Sequence, residues 1–381
     1  MRQTPLFVRL FCVLFCVPVL LCTAGCGSGG SAASSSSTLT AAAAPTITTA
    51  AAKNNAVIVT LASSTSGATI YYTIDGTTPT SSSIPYESPF LVASDVTLNA
   101  ITVASGYSNS SATSKTFSLG ISSGTLVWSD EFSNSTSANA QPSSSVWAYD
   151  TGNGTSGWGN NELEYYCAYG STTSPCSTAT PNEYVDTNGY LNIVAQQPTS
   201  GVYTSARMKT QGLFSFQYGR LEIKAKLPEE QGLWPAGWLL GTNYATVGWP
   251  SCGEQDVMER VDAAGSPDWN DGSIHGYGFT GSNLGTTYYF ASGDSAASWH
   301  TYGMIWKKDS VAYYIDDATS PYVTYTPSSI SSLSGAVWPF NNGSAFLILN
   351  LAVGGSWPGS PTSSTTFPAT MQVDYVRIYA N

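Results

Sequence analysis

The run Cys252-Gly253-Glu254-Gln255-Asp256-Val257-Met258-Glu259-Arg260-Val261-Asp262 gathers acids densely, in a chain where only 10% of residues are charged. Side chains of an extended strand alternate between faces, so Glu254 and Asp256 share one face. Glu259 stands at an odd offset from Glu254 and would point the other way, where an unpaired buried carboxylate is costly. One extra residue in the strand restores parity. We therefore expect a β-bulge around Val257-Met258 that turns Glu254, Asp256 and Glu259 into one groove. Such a set suits cleavage of a glycosidic bond. Two carboxyl groups about 5–5.5 Å apart allow one to attack the anomeric carbon while the other protonates the departing oxygen. Two strand repeats span about 6.5–7 Å, so Glu254 and Glu259 on a bulged strand approach that separation. Asp256, between them, can hold a shared proton, and its charge raises the proton affinity of Glu259. The spacing alone also fits a solvated acidic edge strand or a calcium site.

The elements that would position these acids read as β-structure. Eleven Trp and 23 Tyr accompany abundant Ser, Thr and Gly in 381 residues, a composition that strands accommodate. The net charge of −11 argues against a nucleic-acid partner, which needs a basic face; it fits a neutral partner such as a sugar, and equally a charge that only keeps the protein soluble. Residues 124–381 show many short alternating runs, among them Leu191 to Ala195, Gly219 to Lys226, Ala312 to Asp316 and Val373 to Tyr379. Many strands with few helices imply a sandwich or jelly roll. Residues 45–120 form a smaller β domain with strand-like runs at Val57 to Leu61, Thr69 to Thr73, Val96 to Ala100 and Lys115 to Ser118. Its stretch Ile70 to Thr80 resembles the immunoglobulin-like domain at the C-terminus of chitobiases. That resemblance implies a spacer, with a carbohydrate-binding module as the alternative.

At the N-terminus, Arg2 and Arg9 precede an apolar run from Leu10 to Cys22 and then small residues, the pattern of a secretory signal. Ala24-Gly25-Cys26 resembles a bacterial lipobox, with Thr23 where an aliphatic residue is usual. Residues 1–26 are thus read as a lipoprotein-type signal with Cys26 as lipid site, and 27–44 as a flexible tether. The expected location is outside the cell: a bacterial cell surface or outer membrane reached by the lipid anchor, or otherwise free secretion. In that oxidising setting Cys167 and Cys176 should pair around their Ser/Thr/Pro loop, leaving Cys252 a buried, inert thiol.

The segment Gly253 to Glu259 resembles the laminarinase-type branch of glycoside hydrolase family 16, which carries Glu-x-Asp-x-x-Glu. Other segments match in order: Tyr203 to Thr210, Tyr218 to Glu222, Gly232 to Leu240, Ser273 to Gly276, Trp299 to Tyr302, Leu349 to Gly355 and Asp374 to Arg377. The resemblance implies a concanavalin A-like jelly roll with an open groove. It implies retaining endo-hydrolysis of β-1,3-glucan or mixed-linkage glucan, with Glu254 as nucleophile, Asp256 as its assistant and Glu259 as acid/base. Within the family, agarose, carrageenan and xyloglucan are alternative substrates. A glucan-binding surface protein without catalysis is the alternative of another class.

The resemblance further implies substrate contacts from Arg207, Trp234, Trp238, His275 and Trp357, with His275 placed near the acid/base, and a groove-lining loop at Asn161 to Tyr166. No cofactor is required. A structural calcium would be held by Glu131, the Gly189 carbonyl and Asp374, and the chain should act as a monomer. Two residues depart from the family pattern. Gln255 replaces an aliphatic residue and should point into the inter-sheet core, where its amide needs partners. Gly237 replaces a larger residue, which would widen the groove.

Overall fold

The computed structural model describes residues 39–133, 137–261 and 268–381. The signal segment 1–26 with Cys26, most of the tether, and Asp262 lie outside the described residues.

The small domain packs two antiparallel sheets. One orders the strands Thr46–Ala51, Val57–Ala62 and Phe90–Val92, and the other orders Ile84–Pro85, Thr69–Thr73, Val96–Val103 and Thr113–Phe117. Alternation puts Val59, Leu61, Ile70, Tyr72 and Leu98 between them. The tether is shorter than expected. Ala42 N–H donates to the Ser108 carbonyl (2.9 Å) and Ala43 N–H to Thr65 Oγ1 (2.8 Å), so residues 41–43 already belong to this domain. Nor does the domain dangle. Leu91 N–H donates to the Ser215 carbonyl and Ser215 N–H to the Pro89 carbonyl (both 2.9 Å), and Ala56 and Leu91 join the apolar core of the large domain.

The large domain is a sandwich. Its inner sheet runs, in spatial order, Gly285–Tyr289, Trp269–His275, Glu254–Glu259, Leu233–Gly241, Ala345–Val353, Arg207–Lys209 and Ala148–Asp150. The outer sheet is built around Ala369–Tyr379, Gly219–Lys226 and His300–Lys307. The strand Ala345–Val353, Ala-Phe-Leu-Ile-Leu-Asn-Leu-Ala-Val, is buried throughout. Its odd-numbered side chains Leu347, Leu349 and Leu351 face the core. Phe346, Ile348 and Asn350 face a groove of about 950 Å³.

Two expectations meet the core differently. Gln255 is buried on the core side, and its Nε2 finds no partner among the described residues. Gly237 also faces the core, not the groove. A Cβ there would lie 2.9 Å from Ile223 Cδ1 and 3.0 Å from Met258 Cε. The missing side chain thus makes room for the opposite sheet and does not widen the groove. Overpacking this point should destabilise the fold. Gly237→Leu is expected to cost about 1–3 kcal/mol in urea denaturation, and an unchanged midpoint would contradict the placement.

Candidate active site

The strand Glu254–Glu259 pairs with Trp269–His275 in the register Glu254↔His275, Gln255↔Ile274, Asp256↔Ser273, and then Glu259↔Asp271. Val257 and Met258 therefore stand opposite Gly272 alone. On its other side the register moves from Trp238↔Asp256 to Gly237↔Met258. Both ladders record one extra residue on the strand Glu254–Glu259, which is the expected bulge. Its unpaired backbone groups are taken by one buried amide: Asn270 Oδ1 accepts from Glu259 N–H (3.0 Å), and Asn270 Nδ2 donates to the Val257 carbonyl (3.3 Å). Glu254, Asp256 and Glu259 all line the groove.

Each acid has its own partner. Trp249 Nε1 donates to Glu254 Oε2 (3.0 Å). The Ser273 hydroxyl donates to Asp256 Oδ2. Trp234 Nε1 donates to Glu259 Oε1 (2.9 Å). Burial, then the charge of Asp256, pushes Glu254 up to about 8. Burial and the charges of Asp256 and Glu254 hold Glu259 well above the usual carboxylate range. These are the signs expected when like charges share a desolvated site.

His275 does not reach toward Glu259. It stands across from Glu254 in the register, and its Nε2 lies 3.0 Å from Asp256 Oδ2 and 3.5 Å from Glu254 Oε1. Gly281 N–H lies 3.2 Å from its Nδ1 and donates there when the ring is neutral, which leaves the neutral ring's proton on Nε2, facing Asp256. Burial disfavours the imidazolium, but the three surrounding carboxylates outweigh it and lift the His275 pKa to about 9. Glu254, Asp256 and His275 present donor atoms within 4.8 Å of one another, the one such group among the described residues. Hydrogen bonds of the chain already hold each of them.

The flanking residues fall into two arms of the groove. On one side of the strand Glu254–Glu259, the Arg207 guanidinium lies between the Trp158 and Trp238 rings, 4.8 and 4.9 Å from their centroids. Asp150 faces it at 3.0 Å. Trp238 Nε1 donates to Asn350 Oδ1 (2.8 Å). Trp357 packs edge-on against Trp234, with centroids 5.3 Å apart. From the expected loop, Glu162 lines the groove and accepts from Asn160 and from the Tyr166 hydroxyl. Trp249, Asp271 and Asn270 were not foreseen. Trp249 stands in a Gly-Trp-Pro turn without strand periodicity. Asp271 is recognisable only once the register with Glu259 is known.

Elsewhere, Cys167 and Cys176 form a disulfide, and Cys252 is free and buried. The expected calcium ligands do not fit an ion. Arg377 holds both oxygens of Glu131 (3.0 and 2.8 Å), and Lys224 holds Asp374 (2.8 Å). Both carboxylates are thus committed to cations of the chain itself. Gly189 adjoins Phe132 and Ser133, the residues that follow Glu131.

Comparison with known proteins decides the family: the description "Glycosyl hydrolases family 16" matches residues 172–377. The chain belongs to glycosyl hydrolase family 16. Residues 48–115 match "Chitobiase/beta-hexosaminidase C-terminal domain". A beta-glucanase of Rhodothermus marinus is 36% identical over 264 residues, covering 67% of this chain and 84% of that protein. "Glucan endo-1,3-beta-glucosidase A1" of Niallia circulans is 35% identical over 274 residues, and this chain spans 37% of its length. The laminarinase catalytic domain of Thermotoga maritima superposes with a TM-score of 0.57 at 38% identity, over 67% of this chain and 98% of that one. The family 16 jelly roll is therefore the architecture of the large domain.

The Trp234 hydrogen bond carries a titration prediction. It favours the Glu259 anion, so Trp234→Phe, which keeps the ring and loses the N–H, should raise the Glu259 pKa. Carbon-13 NMR titration of the carboxyl group should show a higher midpoint. An unchanged or lower midpoint would deny that the indole holds Glu259.

Proposed function

We propose that the protein is a retaining endo-β-glucanase acting on β-1,3-glucan or mixed-linkage β-1,3-1,4-glucan. The observation that carries the reading is the bulge, which sets three acids with distinct partners along one sugar-sized groove. Family membership and relatives named as glucanases and laminarinases support it.

In this reading Glu254 is the nucleophile. Its carboxylate attacks the anomeric carbon, and the bond from that carbon to the bridging oxygen breaks. Glu259 gives its proton to that oxygen, and the leaving sugar departs with a free hydroxyl. Water then attacks the glycosyl-enzyme ester, Glu259 takes the water's proton, and Glu254 is released as carboxylate. The partners support these roles. Two donors, Trp249 and His275, face Glu254 and favour its anion. Glu259 has one, and burial beside two other acids keeps its proton on. Asp256, held by Ser273 and His275, lies between the two glutamates, and its charge helps keep the proton on Glu259. The tryptophans and Arg207 suit stacking and hydrogen bonding to a neutral sugar. The N-terminal sequence supports action outside the cell.

Glu254→Gln and Glu259→Gln should each lower kcat on laminarin by roughly 10²–10⁴-fold or more. Proton NMR of early products should show the β-anomer first. Wild-type rates in either variant, or α-anomer first, would overturn the assignment. The pH profile gives a second test. The active form needs Glu254 ionised and Glu259 protonated, so the acid limb of kcat/KM follows Glu254. Trp249→Phe removes a donor to that anion, raises its pKa and should move the acid limb to higher pH. A shift to lower pH would contradict the role of Trp249.

A further inference from the structure

The groove has a second arm, on the side of the catalytic strand away from Arg207 and Trp238. It is made by the strands Trp269–His275 and Gly285–Tyr289, the latter at the edge of the inner sheet. Along the first, Asp271, Ser273 and His275 line the groove, so strand alternation puts Trp269 on the same face. The register pairs Trp269 with Tyr289, Asp271 with Thr287 and Ser273 with Gly285. Residues directly opposite in an antiparallel pair project to the same side, so Tyr289 shares that face. Tyr289 is 59% exposed and Trp357 45% exposed, unusual for aromatic side chains that have a core available to them.

These rings continue a row that begins at the catalytic centre. Trp234, whose indole holds Glu259, touches Trp357 with centroids 5.3 Å apart. Trp357 touches Trp269 with centroids 5.8 Å apart and planes tilted by 47°. The row thus crosses from the strand on one side of Glu254–Glu259 to Trp269 on the other, and the register sets Tyr289 opposite Trp269. Next to it Asp271, opposite Glu259 in the register, accepts from the Thr287 hydroxyl (3.1 Å). On this arm, then, an aromatic edge runs beside a carboxylate that accepts hydrogen bonds.

The geometry points to an additional sugar-binding shelf formed by Trp269 and Tyr289, with Asp271 as hydroxyl acceptor, that holds glucosyl units on the side of the scissile bond opposite Arg207. The occupant is the same polysaccharide chain, because the shelf is continuous with the groove through Trp357. This inference rests on the glucanase reading of the site. It assigns the shelf to long chains: a short oligosaccharide satisfied by the Arg207 arm does not need it.

The test measures binding of a β-1,3-linked glucose hexamer and trimer to the Glu254→Gln protein, with and without Trp269→Ala plus Tyr289→Ala, by calorimetry. The hexamer is expected to lose roughly tenfold in affinity, the scale on which truncating an aromatic anchor acts, while the trimer is unaffected. The pair Trp269→Phe and Tyr289→Phe should retain hexamer affinity, and unchanged thermal unfolding guards against misfolding. Equal hexamer affinity in the alanine variant, or equal losses for both ligands, overturns the shelf. Wild-type hydrolysis of laminarin, assayed in parallel, separates the two readings. Hydrolysis with unaltered hexamer binding in the alanine variant removes only the shelf, whereas neither binding nor hydrolysis removes both.

Discussion

One extra residue in the strand Glu254–Glu259 sets the geometry of the acidic groove. Without it, strand alternation would send Glu259 into the core between the sheets, next to Val257 and Met258, both buried. With it, Glu254, Asp256 and Glu259 face one groove. The distortion opens both neighbouring ladders, and a strand in the middle of a sheet has no water to satisfy the freed backbone groups. Asn270 supplies the replacement bonds from the next strand. Gly237, directly across from Met258, leaves the volume that the displaced side chain fills. The bulge is thus supported from both sides by residues whose roles are otherwise obscure.

The electrostatics follow from that geometry. Three acids and one histidine in a desolvated cleft cannot all be charged alike, and the hydrogen bonds decide which charges persist. Trp249 and Trp234 each present an indole N–H to a different glutamate. Ser273 and His275 settle Asp256. Glu254 thereby has more neighbours that favour its anion than Glu259 has, the asymmetry that the proposed nucleophile and acid/base roles require. Two cations of the chain, His275 and Arg207, favour the Glu254 anion, and His275 stands opposite Glu254 in the register.

Much of this was legible in the residues. The parity of Glu254, Asp256 and Glu259 demanded a bulge, the aromatic and β-branched content demanded sheets, and the Ser/Thr/Pro loop between two cysteines indicated their bond. What was hidden depended on register, on neighbours distant in sequence, or on irregular backbone. The strand Leu233–Gly241 contains Pro235 and Gly237, residues that argue against a central strand, yet it sits between two others. His275 was expected near Glu259 by resemblance, and the register instead sets it opposite Glu254, with Asp256 as its nearest carboxylate. The calcium ligands were matched by position, and only the structure shows that Arg377 and Lys224 already occupy their carboxylates. Trp249 gave no signal at all, since its role is a single hydrogen bond from a turn.

The most direct test of the account is azide rescue of two truncated variants on an activated β-glucoside substrate that fits the groove. If Glu254 attacks and Glu259 assists from the other side, Glu254→Ala leaves a space from which azide itself attacks the sugar, giving the α-glycosyl azide. Glu259→Ala still forms the glycosyl-enzyme, which azide then opens to the β-glycosyl azide. The account predicts this opposite pair of products. The same anomer from both variants, or the two anomers exchanged, would contradict it.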